Sequence, residues 1–411
     1  MKKILALLLA VVMVLGMVAC ASKNETPAET TTTEPAAETT TEETKTEEPA
    51  KEEETATEEQ PAEEGVIKKV ALVTDVGTID DESFNQATWQ GVKAYCEANG
   101  IEYTYYQPTE DSTDARCISI DQAIKEGANV VVMPGYLFGG SIVREQEKYP
   151  EVYFIAVDVG AGDLTEDYAT YYDPAKNVVC ATFAEEQAGY LAGYAVVMDG
   201  YTKLGFLGGM AVPAVVRYGY GFVQGVNAAA TELNIADQVS VKYVYGNKFA
   251  PAPEITAVMD TWYKGGTEVV FACGGGIYAS AAEAAAKVEG AKVIGVDVDQ
   301  AGIIDGAYGD GMTVTSAMKG LAPTVKTVLA AISADKWADF GGKIETLGLV
   351  SENPDDNYVQ LAGSTQFADG FTQDDYKTLV ASMFKGDIKV DNSTEKMPEV
   401  SVKVETFDNI L

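Results

Sequence analysis

From Val66 onward, short runs of consecutive apolar residues alternate with longer stretches in which apolar residues recur every three or four positions. Lys69–Val73 is one such run; others are Asn129–Met133, Val152–Val157, Leu204–Leu207, Ser240–Tyr245, Glu268–Ala272 and Lys292–Val296. Strands that are apolar without interruption are those covered on both faces, whereas half-exposed strands alternate. Between the runs, Ser83–Ala98 carries Trp89, Val92 and Cys96 at helical spacing. Ala184, Ala188, Leu191, Ala195 and Met198 are spaced for one face of a long helix expected from about Asn177 to Met198. Strands and helices in alternation predict an α/β fold with parallel sheets.

The apolar pattern spans more chain than one average sheet uses, and the long helix divides it into similar halves. The expectation is two doubly wound, Rossmann-like lobes. The first takes about residues 66–174 plus 300–345, the second about 175–297 plus 346–411. The chain would recross near Asp173-Pro174, near Asp297 and near Leu347. Lys343–Gly363 has weaker periodicity and two strand-like pieces, which suits a hinge of three connecting strands.

The N-terminal pattern differs. Lys2 and Lys3 precede an apolar run from Ile4 to Val18 that suits a secretory signal but is short for a bilayer-spanning helix, which needs roughly 20 residues. The run ends at Met17-Val18-Ala19-Cys20, small residues before a cysteine, as in the lipobox of bacterial lipoproteins. Residues 1–20 therefore read as a lipoprotein signal peptide, with Cys20 as the acylated residue anchoring the protein on the outer face of the cell membrane. Residues 21–64 are Thr, Glu, Ala and Pro with almost no large apolar side chain, a composition that cannot offset its own ordering entropy. They read as a disordered acidic tether spanning roughly 35 Å.

Charge and composition narrow the function. The formal net charge is −34, and the segment Lys23–Glu64 holds 15 Glu against 3 Lys. An acidic chain repels phosphate backbones, so nucleic acid is not expected as a partner. No histidine is present, which removes the usual general base and the commonest zinc ligand. Cys96, Cys117, Cys180 and Cys273 lack metal-type spacing and read as buried thiols, with disulfides left open.

Three strand runs lead into aspartates, namely Asp75, Asp158 and Asp297, and a fourth ends in Pro134-Gly135. In open parallel sheets ligands bind beyond the carboxyl ends of the strands. Two facing lobes would bring these ends to one cleft, where carboxylates suit vicinal hydroxyls. A calcium loop at Asp297-Val298-Asp299 fails because Ala301 and Tyr308 stand where oxygen donors are needed, so no metal is expected. Gly274-Gly275-Gly276 lacks the Lys-Ser/Thr of a phosphate loop and reads as a tight strand-to-helix turn. No cofactor is expected.

The segment Thr74–Gln86 (TDVGTIDDESFNQ) resembles the signature of the basic membrane protein family, bacterial purine nucleoside receptor lipoproteins. Phe183–Gly193, Gly208-Gly209-Met210, Val216-Arg217-Tyr218 and Gly295–Gln300 agree in order. The resemblance implies a type I periplasmic-binding-protein fold whose cleft holds a nucleoside. It assigns base contacts to Asp75, Phe84 and Asn85, polar contacts including ribose to Asp158 and Asp297, and completion of the ribose site to Lys319. Tyr218 stands where a second stacking phenylalanine is expected. The implied partners are a nucleoside and the permease of an ABC importer, and the implied protein is a monomer and not an enzyme. A sugar or other polyol ligand, or a receptor serving a signalling partner, stay open as alternatives.

Overall fold

The structure, a computed structural model, describes residues 66–411; the expected signal segment, Cys20 and the acidic tether lie outside the described residues. The chain opens with β1 (Lys69–Val73), α1 (Phe84–Asn99), β2 (Glu102–Tyr106), α2 (Thr113–Lys125), β3 (Val130–Pro134), α3 (Gly139–Lys148), β4 (Tyr153–Val157) and β5 (Val178–Phe183). It continues with α4 (Glu185–Met198), β6 (Lys203–Gly208), α5 (Pro213–Glu232), β7 (Ser240–Tyr245), α6 (Pro253–Lys264), β8 (Val269–Cys273), α7 (Tyr278–Ala285) and β9 (Lys292–Asp297). The last third holds α8 (Ala301–Tyr308), β10 (Thr313–Lys319), α9 (Leu321–Ser333), β11 (Lys343–Leu347), β12 (Val359–Leu361), α10 (Gln373–Phe384) and β13 (Lys403–Thr406).

These strands form two sheets. One is ordered β11-β5-β4-β3-β1-β2 and the other β12-β10-β9-β8-β6-β7-β13. All neighbours pair in parallel except β10 with β12. Helices cover both faces, which is why all five residues of β3 and of β8 are buried and read as continuous apolar runs. The protein is α/β, with two Rossmann-like lobes.

Two elements sit elsewhere than the apolar pattern implied. Val178–Phe183 is a strand and not the first turns of a long helix, and it is bonded into the first sheet beside β4. Its run of Val, Val, Cys, Ala, Thr and Phe favours a pleated surface, and the helix starts only at Glu185. Thr313–Lys319, expected with the first lobe, is bonded to β9 in the second sheet. The chain therefore crosses between lobes at Ala184 and at Gly320, not near Asp173-Pro174 and Asp297, and again after Leu347. The three crossings are tied together, Ala184 N donating to Leu347 O at 2.9 Å and Gly320 N to Tyr358 O at 2.7 Å. After the second crossing, α9 packs on α1, where a Cβ on Gly91 would lie 2.8 Å from Ala322 Cα.

The α4–α5 pair forms the base of the second lobe. Eleven residues of α4 are buried, and the helix is apolar almost all round. Its Gly189 and Gly193 face Tyr218 and Phe222 of α5 so closely that an added Cβ would meet their carbonyl oxygens at 2.1 and 2.2 Å. Only glycine permits this approach, which sets the position of α5 and with it Arg217 and Tyr218. Cys96, Cys117, Cys180 and Cys273 are buried free thiols. Among the described residues no helix is long and apolar enough to cross a membrane.

Candidate ligand-binding cleft

The carboxyl ends of β1, β3 and β4 in one lobe face those of β6, β8, β9 and β10 in the other across a cavity of about 630 Å³. Its lining includes Asp75, Phe84, Asn85, Asp158, Tyr218, Asp297 and Lys319, so all seven residues singled out in the sequence reach one space. Its volume lies within the range of pockets that enclose small ligands, roughly 300–1,000 Å³.

Asp158 and Asp297 stand at the ends of β4 and β9 with φ of 59° and 65°. This left-handed conformation is costly for residues with a Cβ, though less so for aspartate, and it turns each carboxylate off the strand axis. Lys319 closes β10 and lies between the lobes with its side chain 3 % exposed. Its ammonium pairs with Asp158 of the opposite lobe, and reaches Glu185 at 3.4 Å and Asp297 at 3.7 Å. The rings of Phe84, Phe183 and Tyr218 surround it, with centroids at 4.7, 5.5 and 5.8 Å. Glu185, fully buried at the start of α4, also accepts from Arg217 Nε at 2.7 Å.

Three buried carboxylates thus share one ammonium and one guanidinium. Burial works against charge on Lys319, but Asp158, Asp297 and Glu185 outweigh it and hold its pKa above the ordinary lysine value. Burial lifts the Asp158 carboxyl to about 7 against the pull of Lys319. Asp297 is raised for the same reason, although Lys319 and a hydrogen bond from Ser83 oppose the shift.

A further part of the cavity wall is built by the β1–α1 loop, beside this cluster. Asp81 accepts from the backbone N–H groups of Ser83, Asn85 and Gln86 at 2.9–3.0 Å, which starts α1 and fixes Phe84 and Asn85. Asp75 accepts from Gly77 N at 2.8 Å and Asn85 Nδ2 at 3.1 Å. Burial raises its pKa to about 6. Ser83 Oγ donates to Asp297 across the cleft at 2.5 Å, and Gln300 Nε2 donates to Glu82 O at 3.0 Å, so the lobes are in direct polar contact.

On the wall of the second lobe, Tyr218 is 1 % exposed and stands perpendicular to Phe271, with ring centroids 5.9 Å apart. The more open ring there is Phe249. It lies against Gly209 and Gly274, where an added Cβ would come within 2.4 and 2.8 Å of Phe249 Cδ1. The Gly274–Gly276 segment is the tight turn expected, with positive φ at Gly274 and Gly275. Its glycines also make room for the ring.

Sequence reasoning missed Phe249 in the cavity lining, and missed Glu185 and Arg217, the buried ion pair that supports Lys319 behind it. Glu185 was hidden because Val178–Phe183 read as helix, so no strand end pointed to it. Phe249 sits in a loop without periodicity; the only signal was the glycine cluster it packs on. Three buried polar atoms around the cleft have no hydrogen-bond partner among the described residues, namely Asn85 Oδ1, Asp158 Oδ1 and the Tyr218 hydroxyl. Unmatched polar atoms of this kind are costly in a dry interior and mark where a ligand's polar groups fit.

Comparison with known proteins bears on the family and the fold. Residues 68–380 match the family model described as ABC transporter substrate-binding protein PnrA-like. The ABC transporter nucleoside-binding protein BmpA of Lactococcus lactis subsp. cremoris is 28 % identical over 296 residues, covering 68 % of this chain and 79 % of that protein. An ABC transporter solute-binding protein from Conexibacter woesei superposes with a TM-score of 0.59 at 22 % identity, covering 79 % of this chain and 99 % of that one. A second, from Aeropyrum pernix, gives 0.59 at 20 % identity over 78 % and 87 % of the two chains. At these identities the structures speak to the fold.

Proposed function

This chain belongs to the PnrA-like family of ABC transporter substrate-binding proteins, and from that premise we propose that it captures a purine nucleoside in the cleft and hands it to the permease of an importer. The observation that carries the reading is the pairing of chemistries across one cavity. Half-exposed rings, Phe84 from one lobe and Phe249 from the other, line the same space as a cluster of carboxylates around one lysine. A purine is flat and apolar on its faces, and stacking contributes roughly 1–3 kcal/mol per base. Its ribose offers hydroxyls that donate to Asp158 and Asp297 and accept from Lys319.

The charge balance argues for a nucleoside over a nucleotide. Eight acidic residues line the cavity, Asp80 and Glu82 among them, against Lys248 and Lys319. A phosphate would enter a field of its own sign. The name of the Lactococcus relative, a nucleoside-binding protein, supports the same ligand class.

Delivery follows from the three crossings. Rotation about them opens the cleft, and bound ligand favours the closed form through contacts to both lobes. The protein works as a monomer and does not transform its ligand. We place it on the outer face of the cell membrane, held by lipid on Cys20, with residues 21–64 as a spacer.

The test is a calorimetric titration of the purified protein with guanosine, inosine, adenosine, cytidine and ribose. Sub-micromolar binding confined to the purine nucleosides is expected, with no free base released on prolonged incubation. Heat from ribose alone would replace the nucleoside with a polyol. Asp297→Ala is expected to abolish nucleoside binding, and unchanged affinity would remove Asp297 from the ribose site.

A further inference from the structure

We propose that the base end of the cleft selects a nucleobase edge carrying two adjacent hydrogen-bond donors, as guanine presents, over one that pairs a donor with an acceptor, as adenine does. The inference rests on the nucleoside reading and concerns which base that site takes.

The argument turns on the orientation of one amide. Asn85 Nδ2 lies 3.1 Å from Asp75 Oδ1 and 3.1 Å from Asp81 Oδ2. An amide oxygen in that place would face two carboxylates, so the nitrogen must occupy it and both its hydrogens are used. The oxygen therefore points the other way, and Asn85 Oδ1 is buried without a partner. Asn85 is 3 % exposed, it lines the cavity, and its position is not adjustable. Asp81 Oδ2 also holds the Asn85 backbone N–H at 2.9 Å, and Gly77 lies so close that a Cβ there would meet Nδ2 at 2.2 Å.

Asp75 is constrained in the same way. Oδ1 accepts from Gly77 N and Asn85 Nδ2, while Oδ2 has no donor among the described residues. Oδ2 is held near Gly135, whose missing side chain would come within 2.7 Å of it. The free polar atoms of Asp75 and Asn85 are thus both acceptors. On the same wall stands Tyr136, whose hydroxyl makes no hydrogen bond among the described residues and can donate to a ring carbonyl.

Guanine offers N1–H and the 2-amino group side by side, next to a carbonyl. Adenine offers one amino group beside a bare ring nitrogen, which would set a lone pair against a carboxylate oxygen. Hypoxanthine keeps N1–H and lacks the 2-amino group. A site built to bond a particular hydrogen rejects the analogue without it strongly, because its own buried acceptor is then left unpaired.

The experiment is a calorimetric series on the full-length protein near pH 7.5 with guanosine, inosine, adenosine and 1-methylguanosine. Guanosine is expected to bind best and inosine about 10-fold more weakly; adenosine and 1-methylguanosine should fall by about 100-fold or more. Asp75→Asn, checked for folding by its thermal transition, replaces a pure acceptor with a group that also donates. It should narrow the guanosine-to-adenosine ratio by at least about 10-fold. Adenosine binding as tightly as guanosine, or 1-methylguanosine matching guanosine, would overturn the proposal while leaving the nucleoside reading intact. So would an Asp75→Asn protein with an unchanged ratio. If none of the four binds, the nucleoside reading itself fails and this selectivity falls with it.

Discussion

Replacing Lys319 with Met removes one positive charge from the most heavily charged buried cluster in the described chain and keeps most of the side-chain volume. The ammonium lies 3.4 Å from Glu185 and 3.7 Å from Asp297, besides its bond to Asp158. At an effective dielectric constant near 20, each attraction at such distances is worth about 4–5 kcal/mol. Desolvating the ammonium offsets several kcal/mol of that sum, and Arg217 still partners Glu185 in the variant. The net cost of leaving Asp158 and Asp297 without a cation is about 3–5 kcal/mol. Methionine fills the space among Phe84, Phe183 and Tyr218, so little of this cost comes from packing.

The same carboxylates can escape by taking up protons. Asp158 already stands at about 7 with Lys319 present, and removal of the ammonium raises it further. The destabilisation is therefore pH-dependent: full near pH 7.5 and reduced to less than about half near pH 5, where a proton replaces the lost cation. The assay is urea unfolding of wild type and Lys319→Met at both pH values, with Asp158→Asn and the double variant closing a mutant cycle. The cycle should give a coupling of at least about 2 kcal/mol. A Lys319→Met protein as stable as wild type at pH 7.5, or one with the same loss at both pH values, would refute the charge argument.

Ligand-free protein is expected to gain thermal stability as pH falls from about 7.5 to about 5. Burial raises Asp75 from 3.8 to about 6, Asp158 from 3.8 to about 7 and Glu186 from 4.5 to about 7, so in that window the folded state binds more protons than the unfolded chain. Stability then declines with rising pH, and a Tm that drops steadily on acidification from pH 7.5 would contradict it. Gly189→Ala should destabilise by about 3 kcal/mol or more, because the new Cβ meets the Tyr218 carbonyl oxygen at 2.1 Å and helix backbones cannot yield as a flexible side chain can. Denaturant midpoints check it, and a loss under about 1 kcal/mol would mean that α4 and α5 separate easily.

Much of the fold was legible because a strand buried on both faces announces itself locally. Val130–Met133 and Val269–Ala272 need no partner to be recognised. Glu102–Tyr106 escaped because it is an edge strand whose polar residues stay exposed, its Tyr103 and Tyr105 packing against Trp89. Thr313–Lys319 escaped because Thr, Ser and Lys interrupt its apolar run, although nearly all of it is buried. In both, polar residues interrupt the continuous apolar run that marks a strand buried on both faces.

The order of apolar runs, the aspartates at their ends and the residue types that come to line the cleft belong to the sequence alone, since strand periodicity and turn chemistry act over a few residues. Which sheet each strand joins is different. Val178–Phe183 could pair with either lobe as far as its composition goes, and only its bonds to β4 and β11 settle the matter. The same holds for the cleft's charge. Glu185, Lys319 and Asp158 are up to 161 positions apart, and their meeting depends on three chain crossings and on two helices kept close by glycine. Local pattern cannot encode such a meeting, because the burial that makes these charges matter exists only once both lobes have formed.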